Sequence, residues 1–346
     1  MKQTYSIACI PGDGIGAAVL SQAQLVLERA AELFDFRMEW IHFPWSCEYY
    51  SRTGAMMPAD GLDKLRKHDA IFLGAVGYPG VPDHESLWGL LLPIRREFEQ
   101  YVNLRPIRLM PGVRSPLADM SPGMIDYLIV RENTEGEYSD YGELLAEGSN
   151  DEIVVQHSVF TRKGVGRIFR YAFELARQRK GKLTSVTKLN GIALAMPYWD
   201  SRGIVIAREY PDVELESFHV DILAAHLVQK PNRFDVLVAS NLMGDILSDL
   251  GAGCAGTIGI APSANLNPEG TYPSMFEPVH GSAPDIAGRN IADPIGQVWS
   301  GAMMLDHLGE AAAAQAIVAA IEKVVVQGPC TPDLGGNATT PEVGRA

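Results

Sequence analysis

Short apolar runs alternate with amphipathic segments along the whole chain. Six runs are bounded by turn residues and are short enough for buried β-strands; they are Ser6–Ile10, Ala70–Ala75, Ile125–Val130, Leu183–Val186, Leu215–Val220 and Phe234–Ser240. Three longer segments have their apolar residues on one face, which predicts helices at Ala17–Phe34, Arg167–Arg179 and Ala311–Gln327. This alternation is typical of an α/β fold with a substantially parallel sheet.

The composition is that of a globular protein. The chain has 346 residues, of which 47% are hydrophobic and 21% charged, so it is long enough for two domains or one large α/β unit. A net charge of −13 without any basic stripe argues against nucleic acid as a partner. No apolar run approaches the roughly 18 residues of a membrane-spanning helix.

The cysteines and the first residues of the chain indicate the cellular compartment. Four scattered cysteines without a C-x-x-C pair indicate neither a zinc ribbon nor a disulfide scaffold. The chain enters its first predicted strand too soon for a signal peptide. A cytoplasmic location is therefore expected.

A glycine-rich loop joins the first predicted strand to the first helix. Gly12, Gly14 and Ala17 have the spacing of the dinucleotide-binding fingerprint. Glu39 lies where that motif has its ribose-binding acid. The alternative is a tight turn that needs glycine for its backbone angles. The spacing supports both interpretations, but Asp13 would put a carboxylate inside a loop meant for phosphate.

Three arginines lie at or near the ends of predicted elements: Arg95, Arg105 and Arg131. Guanidinium groups bind carboxylates in a bidentate manner, so convergent arginines suit a di- or tricarboxylate. Each of them alone is more often part of an ordinary surface ion pair. Tyr138 and Lys188 are candidates for proton transfer if nearby cations lower their pKa values. Taken singly, each is more often a half-buried aromatic or a solvated lysine.

Acidic residues follow the last predicted strand. Asp245 and Asp249 are four residues apart, so on a helix they share one face. Together with Asp221 they would suit Mg²⁺ or Mn²⁺. Helix-dipole and capping effects can also explain why Asp245 stands near the start of a helix. They do not explain Asp249, whose like charge one turn further along is mildly unfavourable without a cation.

The segment Glu277–Gly288 is rich in turn residues and nearly free of exposed charge. It is either a long ordered loop or a recognition loop for a flat ring. In the second case Asp285 is placed to accept hydrogen bonds from a pair of hydroxyl groups.

Five of these stretches together resemble one family. They are Ile10–Gly16, Asn103–Pro106, Arg131–Tyr138, Asn241–Asp249 and Glu277–Asp285. In this order, over essentially the whole chain, they resemble the β-decarboxylating dehydrogenases, which include the isocitrate, 3-isopropylmalate and tartrate/D-malate dehydrogenases. The resemblance implies a metal-dependent oxidation of a 2-hydroxy acid, with loss of the β-carboxyl as CO₂ in most members.

The resemblance also implies a fold. It is the two-domain α/β fold of isopropylmalate dehydrogenase, with a large mixed sheet, and not a Rossmann fold. Residues 1–100 and 255–346 would form the large domain, and residues 101–254 a small central domain that carries the dimer contact. The protein is expected to be a homodimer with sites shared between subunits.

The cofactor contacts that the resemblance implies lie on the late loop instead of the glycine loop. They are His280, Gly281, Ser282, Ala283, Pro284, Asp285, Asp293 and Asn190. NAD is the expected cofactor, because an acid at Asp285 accepts from the 2′-hydroxyl of NAD and repels a 2′-phosphate. Asp293 replaces an asparagine that commonly holds the adenine, and a carboxylate there would accept a hydrogen bond but not donate one.

The same resemblance assigns roles to the polar candidates. Arg95, Arg105 and Arg131 correspond to the carboxylate clamp. Tyr138 corresponds to the proton donor to the enolate, and Lys188 to the group that takes the hydroxyl proton, directly or through water. The expected ligands of Mn²⁺ or Mg²⁺ are Asp221, Asp245 and Asp249, with Lys188 and Asp221 contributed by the partner subunit. A requirement for K⁺ is a further possibility in this family.

The substrate is predicted from one pocket residue. Trp88 stands where members acting on 3-isopropylmalate carry a glutamate, and Gly191 stands where they carry an apolar side chain. A bulky ring favours a compact C4 diacid, and Trp45–Tyr50 and Pro82–Gly89 are most similar to the tartrate/D-malate branch. The alternatives are a 3-isopropylmalate dehydrogenase and a non-catalytic regulatory paralogue, which could have lost Tyr138, Lys188 or an aspartate.

Overall fold

A computed structural model describes residues 2–346, and its central feature is a sheet of ten strands. In chain order the strands of the protein are β1 (Thr4–Gly12), β2 (Arg37–His42), β3 (Ala70–Ala75), β4 (Val102–Arg108), β5 (Asp126–Glu132), β6 (Gly142–Leu145), β7 (Ile153–Gln156), β8 (Lys182–Thr187), β9 (Glu214–His219), β10 (Val236–Ala239), β11 (Pro262–Leu266) and β12 (Ser274–Pro278). Strands β6 and β7 form a separate antiparallel ribbon.

The α-helices connect these strands. They are α1 (Gly16–Phe34), α2 (Cys47–Thr53), α3 (Gly61–Leu65), α4 (Asp83–Ser86), α5 (Leu92–Glu97), α6 (Arg162–Arg177), α7 (Ala195–Ala207), α8 (Val220–Gln229), α9 (Asn241–Cys254), α10 (Ile295–His307), α11 (Ala311–Gln327) and α12 (Thr340–Arg345). A π-helical turn, Leu87–Leu91, joins α4 to α5. No helix within residues 2–346 is both long enough and apolar enough to cross a bilayer.

The sheet is parallel at both ends and antiparallel in the middle. Its strand order is β2-β1-β3-β12-β11-β4-β5-β10-β8-β9. The pairs from β12 to β5 are antiparallel, and all the others are parallel. The large mixed sheet implied by the resemblance is therefore confirmed, whereas the substantially parallel sheet predicted from the pattern is wrong for the central strands.

The central strands carry buried polar residues, which explains why hydrophobic periodicity missed them. The Asn265 Nδ2 group donates to Glu277 Oε1 at 2.8 Å, and its Oδ1 accepts from Asn103 and Asn133 at 2.9 Å each. These contacts pair both ends of the Asn265 amide and the Nδ2 groups of Asn103 and Asn133, so strands with these polar inward positions remain stable there.

The two halves of the sheet come from different parts of the chain. Strands β1, β2, β3, β11 and β12 belong to residues 1–100 and 255–346, and the other five belong to residues 101–254. The division into a large and a small domain stays a prediction.

Strand β1 is buried on both faces, which fixes the position of α5. Ile7 and Cys9 pack into the main core with α1 and α10, whereas Ala8 and Ile10 face a second apolar cluster on the opposite side of the sheet. That second cluster includes Ile94 of α5. The helix that carries two consecutive arginines is thereby anchored beside the sheet.

The predicted elements differ from the structure mainly at their ends. The helices predicted at Ala17–Phe34 and Ala311–Gln327 agree with α1 and α11 to within one residue. The helix predicted from Arg167 begins five residues earlier, at Arg162. Its N-cap is Thr161, whose hydroxyl accepts a hydrogen bond from the Gly164 N–H group at 2.9 Å.

Candidate active site

The glycine loop is packed against backbone on both sides. Gly12 and Gly14 have φ angles of +71° and +57°, and a Cβ on Gly14 would lie 1.9 Å from the Ser282 carbonyl oxygen. The Ile15 N–H group donates to that same oxygen at 2.9 Å. The glycines therefore permit a close approach of two loops, which supports the tight-turn interpretation over the phosphate-binding one.

Asp13 explains why this loop contains a carboxylate. Its side chain is buried and accepts hydrogen bonds from the Cys47 N–H group at 2.9 Å and from the Gly77 N–H group at 3.1 Å. Asp13 thus connects three loops at the carboxyl ends of the parallel strands.

The three arginines predicted to form the carboxylate clamp are all buried, and they come from three different elements. Arg95 lies on α5 and Arg131 near the end of β5. Arg105 lies in the middle of β4, opposite Ile129, so the prediction that it lies at or near the end of an element is wrong. Strand β4 runs antiparallel to its neighbours, and a mid-strand side chain there can still meet residues at the end of β5.

Two of these arginines, Arg105 and Arg131, converge on the first turns of α9, which follow β10 directly. Arg105 Nη1 lies 3.1 Å from Asp245 Oδ1, and Arg131 forms an ion pair with the same carboxylate. The Tyr138 hydroxyl donates to Asp245 Oδ2 at 3.0 Å. The neighbouring positive charges outweigh burial and hold the pKa of Asp245 below its usual range.

Tyr138 was a candidate for proton transfer on condition that nearby cations lower its pKa, and the side chains of this chain alone do not lower it. Burial and the negative charge of Asp245 raise the pKa of the phenol, and they outweigh the opposing effect of Arg131. Tyr138 is therefore protonated at neutral pH, which is the state that a proton donor needs.

Asp245 and Asp249 share one face of α9, as the spacing predicted. Arg105 Nη1 lies 3.4 Å from Asp249 Oδ1 and thus contacts both carboxylates. Burial and the charge of Asp245 raise the pKa of Asp249. Arg105 supplies part of the positive charge that two adjacent carboxylates need, and a divalent cation would supply more.

Asp221 does not join this pair within one chain. In the part of the chain that the structure describes, no three His, Cys, Asp or Glu side chains are grouped as a metal site. Asp221 instead pairs with Lys188, whose Nζ lies 3.0 Å from Asp221 Oδ1, and this contact lowers the pKa of the carboxyl. Lys188 follows β8 directly, and Asp221 lies in the first turn of α8, since β9 ends at His219.

Three side chains that orient the arginines were not predicted from the sequence. Glu277 Oε1 lies 2.8 Å from Arg95 Nη2, and Asn241 Oδ1 accepts from Arg131 Nε at 3.0 Å and Nη2 at 2.7 Å. Ser248 Oγ lies 2.6 Å from Arg105 Nη1. Asn241, Ser248 and Glu277 belong to the motif stretches, but no pattern in the chain pairs them with particular arginines.

Trp88 lies in the π-helical turn and is half-buried. Its ring stacks on the guanidinium of Arg96, with 4.8 Å between the Arg96 Cζ atom and the ring centroid. It borders an open cleft of about 520 Å³ that also includes Ser139 and Tyr141. Gly191 and Asn190 lie in an exposed turn after β8.

The late loop lines a second cavity, of about 320 Å³, that suits a flat ring. Its walls include Ile15, Ala283, His280 and Asp293. His280 Nε2 is buried without a hydrogen-bond partner among residues 2–346, and burial lowers the pKa of this imidazole. A neutral ring nitrogen of this kind fits the polar edge of a base. Of the other predicted contacts, Ser282 is buried, Ala283 is half-buried, and Gly281, Pro284 and Asp285 are exposed.

Asp293 is buried beside this cavity and shares a hydroxyl group with a second acid. Thr331 Oγ1 lies 2.9 Å from Asp293 Oδ2 and 2.6 Å from Asp333 Oδ1. The hydroxyl has one hydrogen, so both contacts are hydrogen bonds only when one carboxyl is protonated. Burial and the charge of Asp333 raise the pKa of Asp293 to about 7. A protonated Asp293 donates a hydrogen bond as an asparagine does.

Replacing Asp293 with asparagine tests this protonation without any cofactor. The folded protein holds this proton between about pH 4 and pH 7, whereas an unfolded aspartate does not, so the wild type loses stability as the pH rises through that range. Asp293→Asn avoids this loss. Its free energy of unfolding relative to the wild type is expected to rise between pH 5 and pH 8 by a few kcal/mol at most, about 1.4 kcal/mol per pH unit within that range.

Denaturant unfolding at the two pH values measures this difference. The control is Asp151→Asn, which changes an exposed loop residue. A difference for Asp293→Asn that does not vary with pH would mean that the buried carboxyl is ionised throughout.

Comparison with known proteins identifies the class. A sequence model of the isocitrate/isopropylmalate dehydrogenase family matches residues 6–346. The fold is also that of isocitrate dehydrogenase from Methylococcus capsulatus, with a TM-score of 0.89, 35% identity, and coverage of 99% of this chain and 97% of that one. The chain belongs to the isocitrate/isopropylmalate dehydrogenase family, as its five motifs indicated.

The curated relatives with high sequence identity are dehydrogenases that act on small hydroxy acids, by their names. The D-malate dehydrogenase [decarboxylating] of Escherichia coli K12 is 60% identical over 100% of this chain and 98% of its own length. The tartrate dehydrogenase/decarboxylase of Pseudomonas putida is 56% identical over 99% and 96%. These relatives are oxidoreductases, and their names indicate oxidative decarboxylation of hydroxy acids.

Proposed function

We propose that this protein catalyses the NAD-dependent and divalent-metal-dependent oxidation of a C4 2-hydroxy diacid, D-malate and/or tartrate, with decarboxylation. The observation that carries the proposal is the convergence of buried Arg105 and Arg131 on the acidic face of α9 beside Tyr138, with buried Arg95 held nearby by Glu277. The names of the curated relatives and the general use of NAD and a divalent metal in this family support it.

The charge balance of the site suits a diacid that binds together with a divalent cation. Arg95, Arg105 and Arg131 face the carboxylates of Glu277, Asp245 and Asp249. A doubly negative substrate and a doubly positive ion add no net charge to this cluster, so neither is left uncompensated in a buried site. The arginines then grip the substrate carboxylates, while the aspartates turn to the cation.

Asp245 and Asp249 would hold Mn²⁺ or Mg²⁺ together with Asp221 of the partner subunit. Carboxylate oxygens are the ligands that these hard cations prefer. The chemistry supplied by such a cation is a lower pKa for the substrate hydroxyl and stabilisation of negative charge on oxygen.

Two side chains move the protons. The partner subunit's Lys188 takes the hydroxyl proton, directly or through one water. NAD, when bound, would supply the hydride acceptor. Tyr138 then donates to the enolate carbon that remains after CO₂ has left. The raised pKa of Tyr138 supports this order, because the phenol keeps its proton until a basic carbon forms.

NAD would bind in the cavity of the late loop. His280 and Asp293 line the part that suits the adenine. Asp285 is exposed on the same loop, where it can accept from the ribose hydroxyls. Asn190 is a further contact that the family resemblance implies.

Sharing of sites requires a homodimer. Large apolar side chains are exposed on the elements of residues 101–254, among them Leu194 at 87%, Val154 at 73% and Ile246 at 58%. Ile246 follows the ligand Asp245 directly, so a partner that covers this surface would also reach the metal site.

The ring of Trp88 favours a C4 diacid over 3-isopropylmalate. By the family resemblance Trp88 lies beside the substrate, where a bulky indole leaves less room for a branched alkyl group. The other alternative, a non-catalytic regulatory paralogue, is disfavoured because Tyr138, Lys188, Asp245 and Asp249 are all present.

A substrate panel tests the function. The purified protein is assayed with NAD and Mn²⁺ on D-malate, tartrate and 3-isopropylmalate, with NADH absorbance as the readout. We expect one of the C4 diacids to have the highest kcat/KM, and 3-isopropylmalate to be about 10- to 200-fold worse, the discrimination that a hydrophobic pocket typically gives.

Each other outcome contradicts a part of the proposal. Preference for 3-isopropylmalate would refute the Trp88 argument. No turnover of any substrate by a folded dimer would favour the regulatory paralogue. Full activity after exhaustive chelation would exclude the metal requirement.

A further inference from the structure

Arg96 follows Arg95 on α5 but has different partners. Arg95 is buried against Glu277, whereas the Arg96 side chain is 30% exposed. Arg96 Nη2 donates a hydrogen bond to the backbone carbonyl of Tyr138 at 2.6 Å. Its guanidinium carbon also lies 4.8 Å from the centroid of the Trp88 ring.

These contacts fix Tyr138 at two points. The phenol donates to Asp245 at 3.0 Å, and the backbone carbonyl of the same residue accepts from Arg96. Tyr138 belongs to the loop between β5 and β6, so it has no strand or helix hydrogen bonds to hold its backbone. Its neighbours Glu137 and Ser139 are held by Ser240 and Gln156, and Arg96 is the side chain that binds the backbone of Tyr138 itself.

Arginine suits this task because its guanidinium is planar. It can stack its face on an aromatic ring while it donates from its edge. The additional contact to Asp140, with 3.6 Å between Arg96 Nη1 and Asp140 Oδ2, is exposed and contributes little. Trp88 and Tyr138 are therefore the partners that define the position of Arg96.

We propose that Arg96, held on the ring of Trp88, is a positioning residue that fixes the backbone of Tyr138 and thereby the height of its phenol over the substrate. The inference rests on the function proposed above, because it needs Tyr138 as the proton donor. Trp88 then has two effects: it limits the size of the substrate, and through Arg96 it orients the proton donor.

The test separates oxidation from decarboxylation. Arg96→Met, Tyr138→Phe and the double variant are assayed for NADH formation from D-malate in a single turnover and for decarboxylation of added oxaloacetate. We expect Arg96→Met to slow the second reaction about 10- to 100-fold, the loss that a misplacement of about 1 Å causes. The KM for D-malate should change little, because the clamp arginines remain.

The double variant shows whether Arg96 acts through Tyr138. If it does, adding Arg96→Met to Tyr138→Phe lowers oxaloacetate decarboxylation no further. Arg96→Lys keeps the charge and one donor, and we expect it to recover part of the rate. Purely structural damage would instead lower both reactions and add to the effect of Tyr138→Phe.

Arg66→Met is the matched control. The Arg66 guanidinium lies 5.4 Å from the Phe98 ring and 5.1 Å from the Tyr272 ring, and it pairs with Glu97 at the end of α5. This variant therefore loses a similar stacked arginine without touching Tyr138. It should leave the ratio of the two reactions unchanged.

The outcomes distinguish the inference from the proposed function. An unchanged decarboxylation rate for Arg96→Met, alongside a slowed Tyr138→Phe, overturns the positioning role alone. Independent losses that multiply in the double variant overturn it as well. A Tyr138→Phe variant with normal decarboxylation overturns the assignment of the proton donor and this inference with it.

Discussion

Replacing Lys188 with methionine is expected to lower NADH formation from D-malate by about 10²- to 10⁴-fold, the range typical for loss of a general base. Methionine keeps much of the apolar stem but cannot take a proton. NADH absorbance with saturating NAD and Mn²⁺ measures the loss. The control is Lys163→Met, which removes a lysine that pairs with Glu99 at the same 3.0 Å distance, far out on the surface. Normal NADH formation by Lys188→Met would remove the assigned role.

A mixed dimer shows which subunit the lysine serves. If Lys188 acts on the partner's site, a dimer of one Lys188→Met chain and one Asp245→Asn chain has one intact site, and its other site carries both changes. An equal mixture that reassembles at random should then recover about a quarter of the wild-type activity. If Lys188 acts within its own chain, every site in the mixed dimer is defective and the mixture stays inactive.

Replacing Asp245 with asparagine is expected to weaken Mn²⁺ binding by at least about 10- to 100-fold, a loss seen even for residues that only support a metal ligand. The amide keeps the shape of the carboxylate but removes its charge. Calorimetric titration of the protein with Mn²⁺ alone measures the affinity without reference to turnover. An unchanged affinity would show that the ligand set is wrong.

The same substitution also deprives the buried Arg131 of a partner, so stability needs its own control. Asp235→Asn serves this purpose, because Asp235 is buried and pairs with Arg179 at 2.7 Å. It precedes β10, whereas α9 with Asp245 follows that strand. We expect Asp235→Asn to lower the unfolding midpoint and to leave the affinity for Mn²⁺ unchanged.

The parts of the fold that the sequence predicted are those with a clear apolar pattern. Strand β3 and helix α11 have the predicted bounds, since β3 is a short apolar run that is buried at every position and α11 has one apolar face. Strands β4, β11 and β12 were missed by the pattern. Their inward positions include Asn103, Asn265 and Glu277, which are stable there only because they hydrogen-bond to one another or to Arg95 across the sheet.

The candidate site also has a part that the sequence predicted and a part that it did not. Arginines, paired aspartates and a tyrosine were recognisable as residue types at suitable spacings. The direction of the pKa of Tyr138 was not, because it depends on burial and on the nearby Asp245 carboxylate. The contacts of Glu277 with Arg95 and of Arg96 with Tyr138 join residues that are 182 and 42 positions apart.

The sequence by itself determined the family, because the order and spacing of its motifs can be recognised without knowing which residues are in contact. It also determined the charges available for a diacid and a divalent cation. Only the tertiary structure decided which carboxylate neutralises which arginine, which loop the glycines allow to approach, and which arginine holds the backbone of Tyr138. The physical reason is that these interactions depend on distances and desolvation between segments far apart in the chain, and no local pattern of residues encodes them.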